Sequence, residues 1–83
     1  MLFSLSTMIL YVQKGCAFCG RVLRTARDLG ISLEEKDIAN DALAAELLAR
    51  GGKHQVPYLV DSERAIEMYE SEDIIAYVRT RCS

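Results

Sequence analysis

Apolar positions along the chain fall into runs whose spacing switches between continuous and helical. Ile9, Leu10, Tyr11 and Val12 form an unbroken apolar run rich in β-formers, the pattern of a strand covered on both faces. After a loop over 13–15, Phe18, Val22, Leu23, Ala26 and Leu29 recur at helical spacing, and Gly30 stands where a C-terminal cap is wanted. Residues 31–38 predict a second strand, polar enough to lie at a sheet edge. Asn40 is placed to cap a helix over 41–50 driven by Leu43, Leu47 and Leu48 and ended by Gly51 and Gly52. Val56 to Val60 predict a third strand, entered through Pro57, where a missing N–H is tolerated. A turn over 61–64 leads to a short fourth strand over 65–68. Ser71 is placed to cap a last helix, with Glu72 and Asp73 in its first turn and Arg79 and Arg81 in its last, both complementing the helix dipole. Ile74, Ile75 and Val78 form its inward face.

The order is strand, helix, strand, helix, hairpin, helix. A right-handed βαβ unit followed by a ββ hairpin predicts an α/β domain: a four-stranded mixed sheet with helices on both sides. That domain is expected over residues 8–83, with 1–7 a loose extension ahead of Met8. A chain of 83 residues, 51% hydrophobic, suffices for one core and one domain.

Charge narrows the class of partner. The net charge is −2 and both signs are interspersed. Arg21, Arg24 and Arg27 sit among apolar helix positions rather than in a basic stripe with aromatics, so no nucleic-acid surface is expected. The apolar stretch over 1–12 lacks a cationic leader and a small-residue cleavage site and is too short to span a membrane. A cytoplasmic setting is therefore expected, where thiols are kept reduced.

In that setting the chemistry lies in the cysteines. There are three, and two stand three apart in Cys16-Ala17-Phe18-Cys19. This spacing serves a redox dithiol or half of a metal site. Its placement matters more: Cys16 follows a strand and opens a helix, where unpaired N–H groups and a partial positive charge favour a thiolate. Lys14 adds a cation nearby. Cys16 is thus the expected nucleophile, and Cys19, one turn in, a less exposed resolving thiol of more ordinary acidity. Zinc wants about four ligands, and no second such pair exists; only His54, Cys82 and carboxylates remain, so no metal is expected. His54 reads as a solvated loop residue, Cys82 as an incidental exposed thiol, and Tyr58 and Tyr69 as packing residues. Phe18 is either core or pocket wall.

Taken together, the strand Ile-Leu-Tyr-Val-Gln, the Cys-Ala-Phe-Cys helix start, Val-Pro before the third strand and the entry Tyr-Glu-Ser-Glu-Asp resemble the glutaredoxin family over nearly the whole chain. The tail Glu-Ser-Glu-Asp-Ile-Ile-Ala-Tyr-Val is also similar to the N-terminal, glutathione-binding domain of glutathione S-transferases. Both resemblances imply a thioredoxin-like fold with three helices flanking the sheet, and glutathione as reductant and co-substrate. They imply that Cys16 attacks a glutathione mixed disulfide and that the Val56–Pro57 bond is cis, with the Val56 backbone pairing with the tripeptide. Ser71 and its helix terminus would hold the γ-glutamyl carboxylate, and Glu70 the amine. Gln13 or Lys14, with the Lys53 loop, would meet the glycyl carboxylate. Phe18, Pro57 and Glu72 complete the expected contact set.

The chain departs from the glutaredoxin pattern in three places. Ala17 and Phe18 replace a proline and a tyrosine, Gln13 stands where a lysine is usual, and Met68-Tyr69 replace a glycine pair. The function implied is a glutathione-dependent dithiol–disulfide oxidoreductase acting, as a monomer, on disulfide-containing or glutathionylated proteins. The alternatives are a glutathione-ligated [2Fe–2S] module and a non-catalytic glutathione-binding domain.

Overall fold

The computed structural model describes residues 8–81. The expected extension over 1–7 and Cys82 lie outside the described residues. Seven elements follow in order: β1 (Met8–Val12), α1 (Ala17–Asp28), β2 (Leu33–Asp37), α2 (Asp41–Gly51), β3 (Tyr58–Asp61), β4 (Ile66–Met68) and α3 (Ser71–Arg81). The sheet order is β2-β1-β3-β4. β1 runs parallel to β2 and antiparallel to β3, which pairs antiparallel with β4. This is the mixed α/β sheet that the sequence pattern predicts.

Alternation along the central strands divides the interior in two. Met8, Leu10 and Val12 of β1 and Leu59 of β3 face α1 and α3, meeting Val22, Ala26, Ile74, Ile75 and Val78. Tyr11, Tyr58 and Val60 point the other way, toward α2, and meet Ile38 and Leu47. The unbroken apolar run of β1 is explained by this burial on both faces. α2 is held more lightly, with Leu47 its one buried residue. Ion pairs add to it, Lys36–Glu46 at 2.8 Å and Arg50–Glu67 at 3.0 Å.

Several boundaries shift for reasons visible in the backbone. β2 starts at Leu33 because the Ile31 N–H turns back to the Ala26 carbonyl at 2.9 Å, closing the end of α1. β3 starts at Tyr58, after a cis Val56–Pro57 bond. Ala65 belongs to the hairpin turn, at φ 55°, rather than to β4. At α3 the expected cap moves by one residue. The Glu70 carbonyl accepts the Ile74 N–H at 2.9 Å, so Glu70 holds the N-cap position and Ser71 is the first helical residue. Among the described residues no helix is long and apolar enough to cross a membrane.

Candidate functional site

The site begins with a turn. The Cys16 N–H donates to the Gln13 carbonyl at 3.0 Å, and Gly15 adopts φ 88°, a conformation an L side chain resists. Cys16 is thereby left extended (φ −80°, ψ 115°) as the N-cap of α1, and its Sγ accepts the Cys19 N–H at 3.2 Å. A sulfur occupies the place that Asn40 Oδ1 fills at the start of α2, accepting the N–H groups of Ala42 at 2.9 Å and Leu43 at 3.2 Å. Cys16 is half-buried and Cys19 is only 2% exposed, and both thiols are free.

Cys19 corrects one expectation. Burial, and then the hydrogen bond with Cys16, pushes its thiol up to about 12 rather than leaving it ordinary. It shares the buried face of α1 with Val22 and Ala26, so its surroundings are hydrocarbon.

Two hollows flank the start of α1. The first, of about 230 Å³, is lined by Phe18, Gln55, Val56, Pro57, Glu70 and Ser71. Phe18 stands at its wall, 58% exposed, which settles that it is not core. Ser71 lines this hollow and is 9% exposed, and among the described residues no fully buried side-chain polar atom lacks a hydrogen-bond partner. It sits at the N-terminus of α3, where the first N–H groups lack intrahelical acceptors. The second hollow, of about 270 Å³, is lined by Gln13, Lys14, Gly15, Cys16 and Cys19 with Glu35 and Asp37 of β2.

The expected site residues therefore divide. Phe18, Val56, Pro57, Glu70 and Ser71 come together on one side of the cysteine helix, and Gln13 and Lys14 join Cys16 and Cys19 on the other. Glu72 lines neither hollow; its carboxylate pairs with Arg21 of α1 at 2.6 Å. Reading the sequence missed Gln55, Glu35 and Asp37. For Gln55 a signal was present, since it directly precedes Val56-Pro57. The two β2 carboxylates reach the site through strand pairing, which no local pattern announces. Among the described residues no three His, Cys, Asp or Glu side chains cluster as metal ligands.

A four-stranded mixed sheet with three helices, a cysteine capping the first of them and a cis-proline hollow beside it define the thioredoxin-like class. Within that class the chain matches the family model for the glutathione S-transferase N-terminal domain over residues 10–83, and it belongs to that family. It is similar to a delta-class glutathione transferase of Nilaparvata lugens, at 28% identity and a TM-score of 0.75, over 92% of this chain and 36% of that one. It is similar to glutathione S-transferase isozyme E7 of Drosophila melanogaster, at 25% identity and a TM-score of 0.76, over 92% of this chain and 35% of that one. A glutathione transferase homolog from Drosophila mojavensis with bound glutathione shares the fold, at 22% identity and a TM-score of 0.76, over 93% of this chain and 36% of that one. The chain thus spans about a third of the length of these structures. The family is the one that the Glu-Ser-x-x-Ile-x-x-Tyr tail resembles, while the glutaredoxin resemblance stays a likeness of fold and motif.

Proposed function

We propose that this domain binds glutathione in the hollow between Pro57 and α3 and carries out glutathione-dependent thiol–disulfide exchange through Cys16. The observation that carries the reading is the Cys16 sulfur itself. It caps a helix, accepts a backbone N–H, and belongs to the helix whose first turn supplies Phe18 to the hollow. The Drosophila mojavensis homolog of the same fold has glutathione bound, which supports the choice of ligand. The γ-glutamyl carboxylate would rest on the Ser71 hydroxyl and the terminal N–H groups of α3. Glu70 would face its amine, and the Val56 backbone would pair with the cysteinyl unit.

The chemistry balances with glutathione alone. The Cys16 thiolate attacks the glutathione sulfur of a mixed disulfide, the S–S bond breaks, and the protein thiolate leaves and takes a proton. A second glutathione thiolate then attacks the glutathione sulfur now joined to Cys16. Glutathione disulfide forms, and Cys16 returns as the thiolate. Glutathionylated or disulfide-containing proteins are the substrates, and a reducing, cytoplasmic compartment supplies the reductant. All the groups named lie on one chain, so a monomer suffices.

Membership of the transferase family favours a second reading, in which the domain holds the glutathione thiolate for attack on a carbon electrophile. One pair of assays separates the two: glutathione-coupled reduction of a glutathionylated peptide, and conjugation of glutathione to an activated aryl chloride. Disulfide reduction that vanishes in Cys16→Ser supports exchange. Conjugation without reduction overturns it.

A further inference from the structure

We infer that Tyr69 is a positioning residue for the ligand hollow, its hydroxyl fastening the α2–β3 loop to the segment that enters α3. This inference rests on the glutathione reading of that hollow. One wall is the strip Gln55, Val56 and Pro57, and the other is Glu70 and Ser71. Tyr69 adjoins the second wall in sequence and holds the first through the backbone. Its hydroxyl accepts the Lys53 N–H at 3.0 Å and donates to the Lys53 carbonyl at 2.9 Å, so both backbone groups of one loop residue end on one side-chain oxygen.

Tyr69 is itself firmly placed. Its ring packs on Tyr58, the first residue of β3, with centroids 4.3 Å apart and planes tilted at 47°. The Lys53 ammonium lies 5.3 Å from the ring centre. At the other end of the loop, Gly51 closes α2 against the same ring. A Cβ there would run into the Tyr69 hydroxyl and lie 2.8 Å from Cζ. Tyr69 therefore meets Gly51 and Lys53 at the start of the loop and Tyr58 at its exit. Packing alone would be served by phenylalanine, whereas the hydroxyl answers to the Lys53 backbone, two residues before Gln55.

Without the hydroxyl the Lys53 amide is exposed and finds water, so little folding stability is lost. The loop, however, regains freedom that a ligand must then remove on binding. The test compares Tyr69→Phe with the unaltered protein, using S-methylglutathione, whose thioether cannot exchange with Cys16. Titration calorimetry should show binding weakened about fivefold, the scale of one hydrogen bond's net worth. Amide exchange at Lys53 should quicken about tenfold or more as its partner is removed. The rate of Cys16 alkylation by iodoacetamide should be unchanged, because the turn that positions Cys16 is untouched. Gly51→Ala, which displaces the Tyr69 ring, should weaken binding in the same direction. Unchanged affinity in Tyr69→Phe overturns the inference and leaves Tyr69 a packing residue. Failure of the unaltered protein to bind S-methylglutathione overturns the glutathione reading instead, and unchanged Lys53 exchange then overturns the clamp on its own.

Discussion

In the proposed exchange, glutathione attached to Cys16 would leave by one of two routes, attack by Cys19 or attack by a second glutathione, and the burial of Cys19 decides between them. With its thiol pushed up to about 12, Cys19 is ionised at pH 7 to about one part in a hundred thousand, against about three in a hundred for a free thiol near 8.5. The ratio is about 3,000-fold in thiolate. A more basic thiolate is a better nucleophile, and a Brønsted slope of about 0.45 over about 3.5 units returns roughly 40-fold. Net attack by Cys19 is thus slower than by an ordinary, equally placed thiol by about two orders of magnitude. Burial is the leading cause of the shift and persists in the mixed disulfide, while the hydrogen bond with Cys16 does not, so this figure is an upper bound on the slowing. The assay starts from protein glutathionylated at Cys16 with no free glutathione present, and follows release by intact mass against pH. Release should be slow at pH 7 and rise about tenfold per pH unit past pH 9, because deprotonation of Cys19 limits it. In turnover with glutathione, Cys19→Ser should retain activity within about twofold while Cys16→Ser loses it. A release rate that levels off near pH 8.5, or a collapse of turnover in Cys19→Ser, would refute the reasoning.

The remaining predictions concern the backbone and the ligand wall. Gly15→Ala meets no atom within 4 Å but must hold φ 88°, so it should cost about 1 kcal/mol, lower Tm by about 4–8 °C and slow Cys16 alkylation; an unchanged Tm would show that the turn re-forms without strain. Ala65→Gly at φ 55° should act oppositely and raise stability by about 0.5 kcal/mol in urea titration, since relief of the left-handed strain exceeds glycine's added chain entropy. Glu70→Ala leaves the capping carbonyl in place, so glutathione KM should rise about threefold at constant Tm. Ser71→Ala should also raise KM with Tm nearly constant, because Ser71 is the first helical residue rather than the cap; a KM unchanged in both variants would place glutathione elsewhere.

The elements were legible because each is announced locally. Leu10 and Tyr11, neighbours with opposite burial partners, explain why the apolar run of β1 reads as a strand covered on both faces. The Gly51-Gly52 pair marks the end of α2, where Gly52 at φ 85° donates to the Leu48 carbonyl at 2.8 Å. The candidate site could be written from the sequence as a list of residues, whereas their division between two hollows could not. Gln13 and Lys14 adjoin Cys16 in sequence, yet the turn directs them to the hollow that β2 completes. Glu72 has the right place in a motif, but its helical angle delivers it to Arg21. The positioning role proposed for Tyr69 arises only because its hydroxyl meets a loop 16 residues earlier, and no spacing rule reports such a contact.

Charge at the helix starts separates the roles of the two walls. α1 carries no acidic residue in its own first turn, and the carboxylates nearest the Cys16 sulfur, Glu35 and Asp37, come from β2 across the second hollow. α3 carries Glu72 and Asp73 there, which suits helix stability but would repel an incoming carboxylate. The Arg21–Glu72 pair, at 2.6 Å, offsets one of those two charges from the neighbouring helix. It is a surface pair, with side chains 47% and 71% exposed, so it contributes little to folding. Its consequence is local: α1 both presents the proposed nucleophilic sulfur and, through Arg21 one turn on, lessens the repulsion at the terminus of α3. The packing of α1 against α3 therefore ties the thiol and the proposed carboxylate seat into one unit, with Val56 and Pro57, just ahead of the central strand β3, lining the hollow beside α3.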